Sequence, residues 1–242
     1  TVTAKYTPTV TAVTPTGEDV TSTGKQGKVQ TGIPKFTEGD AEVPLKVDTD
    51  QPAKFVVNGN AVEETTIDAL KDGAKVGTYT INPLTGEVTF TPNKDFVGTP
   101  DAVNVQVKDE NGTNATAKYT PTVTAVTPTG EDVTSTGKQG KVQTGTPKFT
   151  EGDVEVPLKV DADQPAKFVV NGNTVDDTTI DATKEGAKVG TYTINPLTGE
   201  VTFTPNKDFV GTSDAATVQV KDENGTTATA KYTPTVTAVT PS

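Results

Sequence analysis

Val103–Tyr119 reads VNVQVKDENGTNATAKY, and the fold follows from how this stretch is read. Val103, Val105 and Val107 alternate with Asn104, Gln106 and Lys108, so an extended chain here has one apolar face and one wet face. Glu110, Asn111 and Gly112 form the turn, the Asn-Gly pair supplying its positive-φ residues, and Thr113–Tyr119 runs back. A second hairpin lies upstream. Tyr79 and Ile81 face inward on one strand, Val88 and Phe90 on the next, with Asn82–Gly86 between them. Pro83 presets φ for that turn, and Gly86 takes the left-handed position. Val43, Leu45 and Val47 alternate around Pro44 and Lys46, and the proline marks an edge strand or a strand start. No stretch keeps a 3.6-residue period, and the chain holds 50 Thr, a β-branched residue suited to strands. Short strands without helical interludes indicate an all-β fold, an antiparallel β-sandwich. Its expected core aromatics are Phe36, Phe55, Tyr79, Phe90, Phe96 and Tyr119.

The same sandwich is written twice. Gly17–Thr129 aligns with Gly130–Ser242 without a gap, with 13 differences and 100 of 113 positions identical. Thr1–Thr16 aligns with Asn114–Thr129, so residues 1–16 read as the tail of a preceding repeat, 17–129 as repeat 1 with its linker, and 130–242 as repeat 2. Thr127–Gln139 (TPTGEDVTSTGKQ), polar and rich in Gly, Pro and Thr, is the expected inter-domain linker. Units joined this way form tandem repeats end to end, and two of them span ~80–100 Å at ~3.4 Å per strand residue. Near-identical neighbours carry a risk of strand exchange during folding, which hairpins local in sequence reduce. Three differences remove apolar bulk from the second copy: Ile33/Thr146, Leu70/Thr183 and Val103/Ala216. If all three are buried, repeat 2 is the less stable by several kcal/mol, at ~1–4 each.

Composition excludes more than it proposes. The chain has no Cys, His, Trp or Met, and its 21 basic residues are all Lys. That leaves no disulfide framework, no imidazole base, no thiolate and no bidentate guanidinium clamp. A net charge of −11 disfavours nucleic acid and anionic membrane surfaces alike. No run approaches the ~18 apolar residues of a membrane span, so no membrane insertion is expected. Repeat 1 holds 15 Val, 3 Ile, 3 Leu and 4 Phe, enough for a modest core of its own.

The candidate sites are few. Asp48 and Asp50, with their copies Asp161 and Asp163, place carboxylates two residues apart in a loop, as a calcium site can begin. No Asp/Asn-x-Asp/Asn-Gly loop with a following glutamate completes it, and these acids read first as solvated turn residues. Glu63 and Glu64 become Asp176 and Asp177, a methylene change that a catalytic pair tolerates poorly, so they read as surface. Asn111, Asn114 and Asn224 match the glycosylation pattern, but Asn111 and Asn224 already have a turn role. An intramolecular isopeptide bond needs a lysine buried beside an acid. Lys46, Lys54 and Lys118 lie near apolar residues, yet the alternation points Lys46 and Lys118 outward. Serine occurs only at 22, 135, 213 and 242, with no histidine to activate it. No catalytic, cofactor or metal residue is assigned, and no enzyme is expected.

Four motifs recur in order: Gly145–Gly152 (GTPKFTEG), Gly190–Asn195 (GTYTIN), Gly199–Thr212 (GEVTFTPNKDFVGT) and Val218–Thr226 (VQVKDENGT). Together with the Thr/Ala strand that follows, they resemble the CshA-type fibril repeat of Gram-positive bacterial surface adhesins. The resemblance covers nearly the whole unit in both copies. It implies β-sandwiches repeated many times in an extracellular, cell-wall-anchored protein, where they form a fibril that carries a distal adhesive region. It brings no catalytic motif.

The expected function is therefore a structural stalk. Its partners are neighbouring repeats of the same chain, the chain is a monomer, and the host ligand is bound by another region. The alternative is a multivalent weak binding module for host matrix protein, glycan or homophilic contact, with avidity from copy number. No Trp or Arg marks a hot spot for it.

Overall fold

The computed structural model describes residues 1–241, which contain strands and no helix. The chain divides into two compact units, Thr1–Ala125 and a second that begins at Val126. The first holds β1 (Thr16–Glu18), β2 (Val20–Lys25), β3 (Gln30–Gly32), β4 (Lys35–Thr37), β5 (Leu45–Lys46), β6 (Lys54–Val57), β7 (Asn60–Ala61), β8 (Thr66–Lys71), β9 (Ala74–Ile81), β10 (Val88–Pro92), β11 (Val103–Asp109) and β12 (Asn114–Thr124). One sheet has the order β2-β12-β11-β6-β7, with β5 also on β11, and the other β3-β10-β9-β8; β1 and β4 pair separately. Every pairing in this unit is antiparallel except that of β2 with β12.

Both hairpins read from the sequence form. In β11–β12, Val103 faces Tyr119, Val105 faces Ala117 and Val107 faces Ala115. Asp109 Oδ1 accepts the N–H groups of Asn111 and Thr113 at 2.9 Å each, and Gly112 sits at φ 83°. In β9–β10, Ile81 faces Val88 and Tyr79 faces Phe90, and Gly86 takes φ 79°. The alternating faces meet between the sheets. Phe55, Tyr79, Phe90 and Tyr119 are fully buried with Val88 and Val105, while Phe36 and Phe96 are half-buried at the margin. Tyr79 packs on Phe90 at 5.3 Å between ring centroids and edge-on to Tyr119 at 6.3 Å.

Other expectations need correction. The alternation around Pro44 yields only the two-residue β5, and Val43 sits in an isolated bridge with Asp40. The stretch 127–139 is not a linker. Thr129–Glu131 and Val133–Lys138 are the first two strands of the second unit, and only residues 125–128 lie between them and the end of β12. Its polar composition reflects a strand with one solvated face: Thr134 and Thr136 point outward while Val133 and Ser135 are half-buried. Of the three losses of apolar bulk, only Val103 is in the core, at 3% exposure, against 49% for Ile33 and 39% for Leu70.

The second unit repeats these strands from Thr129–Glu131 to Thr227–Thr237 and adds one, Gly211–Thr212, paired with Val236 and Thr235. The first unit has only a bridge there, Gly98 with Val123. Proline lacks an N–H, and where unit 1 has Pro100 the second has Ser213, whose N–H reaches the Pro234 carbonyl at 3.3 Å. Thr1–Pro15 forms no strand, and Tyr6 and Val10 are 89% and 93% exposed.

Candidate functional site

The single parallel pairing stands out in an otherwise antiparallel unit. β2 lies beside β12 over six residue pairs, from Val20 opposite Tyr119 to Lys25 opposite Thr124. The second unit repeats it from Val133 opposite Tyr232 to Lys138 opposite Thr237. Further bonds pin both ends of the seam. At the upstream end the Lys118 N–H donates to Asp19 Oδ1 at 2.8 Å; at the downstream end the Gln26 N–H donates to the Thr124 carbonyl at 2.8 Å.

A side-chain chain ties the seam to the opposite sheet. Ser22 Oγ donates to Gln30 Oε1 at 2.6 Å, which uses its only proton, so the Tyr119 hydroxyl donates to Ser22 Oγ at 2.5 Å. Gln30 Nε2 then donates to the Thr122 carbonyl at 2.9 Å. Gln30 sits on β3, so one amide joins β3, β2 and β12. Burial pushes the Tyr119 phenol above its ordinary range, and the bond to Ser22 pulls the other way. Two glycines make room. A Cβ on Gly24 would lie 2.7 Å from the Gln30 side chain, and one on Gly32 would run into the Tyr119 ring. Ser135, Gln143, Tyr232 and Thr235 build the same arrangement in the second unit.

The opposite flank of each sandwich is open. In unit 1 a cleft of about 220 Å³ lies between β6 and β8, lined by Val57, Ile67, Leu70, Tyr79 and Val103. Its counterpart is about 600 Å³, with Thr183 and Ala216 in place of Leu70 and Val103.

The residues singled out in the sequence lie elsewhere. Asp48 Oδ1 accepts the N–H groups of Asp50 and Gln51 at 2.9 Å each, and Asp161 does the same for Asp163 and Gln164, so each first acid closes its own turn. Among the described residues no group of three or more acids is gathered as a metal site would be. Glu63 pairs with Lys54 at 2.6 Å and Asp176 with Lys167 at 2.8 Å, so the shorter acid keeps the ion pair. Lys167 holds the Asp176 carboxyl below its ordinary range. Lys46 and Lys118 are exposed. Of the serines, Ser22 and Ser135 serve the seam, Ser213 bonds the Tyr192 hydroxyl at 3.0 Å, and Ser242 lies outside the described residues. Sequence reasoning missed the trio Ser22, Gln30 and Tyr119. The available signal was a serine and two glycines, Gly24 and Gly32, flanking Gln30 in a Thr-rich stretch.

A family model described as the surface adhesin CshA repetitive domain matches residues 12–123 and 125–236. No curated protein matches the chain. Solved structures of low identity do. Immunoglobulin domains 1–4 of Sidekick-1 are 14% identical, covering 93% of this chain and 52% of that one, with a TM-score of 0.29. Mouse cadherin-23 EC22–24 is 13% identical over 94% and 65%, at 0.31, and the titin I9–I11 tandem 12% identical over 94% and 66%, at 0.32.

Proposed function

The chain belongs to the repetitive-domain family of the surface adhesin CshA, and from that premise we propose that its units are spacers in a cell-wall-anchored fibril. The protein is a cell-surface adhesin repeat, a non-enzymatic kind of module. Near-identical units lengthen the fibril and hold an adhesive region, elsewhere in the parent protein, away from the cell. One observation carries this reading. Because β2 and β12 run parallel, the chain enters the seam at Val20 and leaves it at Thr124, the opposite end. Each unit therefore adds its own length to the path of the chain, where a unit with both termini at one end would add little. The second support is a separate hydrophobic core in each repeat. The charge of −11 keeps neighbouring stalks apart. The chain acts as a monomer whose partners are its own neighbouring repeats.

Small-angle X-ray scattering of the 242-residue chain, with calcium and then with chelator, tests this. The expected maximum dimension is ~80–100 Å, unchanged by chelator. A compact particle overturns the spacer reading. Beads displaying the chain at high density are expected not to bind cells or matrix, and binding would favour a multivalent adhesive module instead.

A further inference from the structure

We infer that the seam is a mechanical clamp, through which each unit resists force applied at its two ends until β2 is torn from β12 in shear. Tension from the N-terminal side draws β2 toward its own start at Val20, and tension from the C-terminal side draws β12 toward its own end at Thr124. In parallel strands these pulls are opposed along the seam. All six pairs are then loaded at once, whereas termini leaving at the same end would open the pairs one after another.

Two features keep the seam from slipping under tension. A slip of one residue carries every side chain to the other face, so Tyr119, fully buried, would be driven into solvent and Thr120 into the core. The next permitted register is two residues away, ~6.6 Å along a parallel strand, and reaching it breaks every pair in between. The second feature is the cross-tie. Gln30, fixed on the opposite sheet, holds the Thr122 carbonyl and Ser22 Oγ together, so β12 cannot move against β2 without breaking a buried amide contact. Asp19 and Gln26 add a bond at each end. The second unit has the same register and the same tie. This clamp belongs to the single unit and stands whether or not the units act as spacers.

Single-molecule force spectroscopy on the full chain decides it. Pulled through its two termini, the chain is expected to show two ruptures, each releasing about 350 Å of chain at ~3.6 Å per residue. The chain has no cysteine, so Asn114→Cys provides a unique exposed handle at the start of β12. Pulling unit 1 between the N-terminus and residue 114 loads the same strands from one end. The rupture force is then expected to fall at least about two-fold, because forced unfolding follows the barrier rather than the equilibrium stability. Equal forces in the two geometries overturn the clamp. A second pair of variants isolates the tie. Ser22→Ala with Ser135→Ala is expected to lower the terminal rupture force more than Val105→Ala with Val218→Ala, which weakens both cores away from the seam. A core pair that lowers the force as much as the serine pair would overturn the role of the tie.

Discussion

The two flanks of each sandwich are built differently, and the two repeats show how. On the seam, Asp19, Ser22, Gly24, Gln30, Gly32, Tyr119 and Thr122 recur unchanged in the second copy, down to hydrogen bonds that match within about 0.1 Å. On the cleft, Leu70, Val103 and Asn104 become Thr183, Ala216 and Thr217, and the lined space, about 220 Å³ in the first unit, reaches past Val175, Asp177 and Thr179 to about 600 Å³ in the second. The cleft can lose methyl groups because Leu70 already faces water and Val103 lies beside open space. The seam has no such room. The side chains of Ser22, Gln30 and Tyr119 are spent on one another and on the Thr122 carbonyl, and Gly24 and Gly32 leave no volume for a side chain.

The largest expected effect removes the tyrosines' protons. Burial pushes the Tyr192 phenol up to about 12 from an ordinary 10.0, and those of Tyr79, Tyr119 and Tyr232 upward as well. The unfolded chain therefore sheds these protons first. The stability they contribute is fully present below pH 10 and is lost as the pH rises toward about 12. Melting followed by circular dichroism should hold from neutral pH up to about 10 and fall steeply above it, and a melting temperature that holds to pH 12 would contradict the assignment.

Next in size, Tyr119→Ala should cost unit 1 about 4 kcal/mol, while Leu70→Ala on the cleft should cost under about 1 kcal/mol. Urea titration of the two variants checks the contrast, and similar losses would erase the distinction between the flanks. Ser22→Ala leaves the Tyr119 hydroxyl and Gln30 Oε1 without their partner and should cost about 2 kcal/mol. Tyr119→Phe should cost less, since Ser22 keeps its bond to Gln30. The smallest effect is a gain. Ala216→Val restores the side chain of the first copy and should stabilise unit 2 by about 1 kcal/mol, raising its melting temperature by ~4–8 °C. No gain in calorimetry would mean that the wider cleft, rather than the missing methyls, sets the balance there.

Much of the fold was legible because its partners are neighbours in sequence. Val103–Tyr119 and Tyr79–Phe90 each carry the alternation, the turn residues and the return strand within a few positions, so local chemistry fixes both pairing and register. Composition likewise excluded imidazole, thiol and guanidinium chemistry without any coordinates. The seam was not legible. Val20–Lys25 is polar and Gly-containing, and it becomes a strand only because β12, 99 residues along the chain, supplies its hydrogen bonds. The candidate acids were visible as turn residues, but nothing local showed that Ser22, Gln30 and Tyr119 would meet.

Thr1–Thr11 and Asn114–Thr124 set the limit most plainly. They differ at two positions, yet the second is an eleven-residue strand with Tyr119 fully buried, while the first forms no strand among the described residues and leaves Tyr6 at 89% exposure. The sequence by itself determined which segments favour an extended, two-faced chain, because branching at Cβ and alternation are local properties. Only the tertiary structure decided which of them became strands and which face was buried. Backbone hydrogen bonds and apolar burial come from the partner, and in the seam that partner lies almost a whole repeat away.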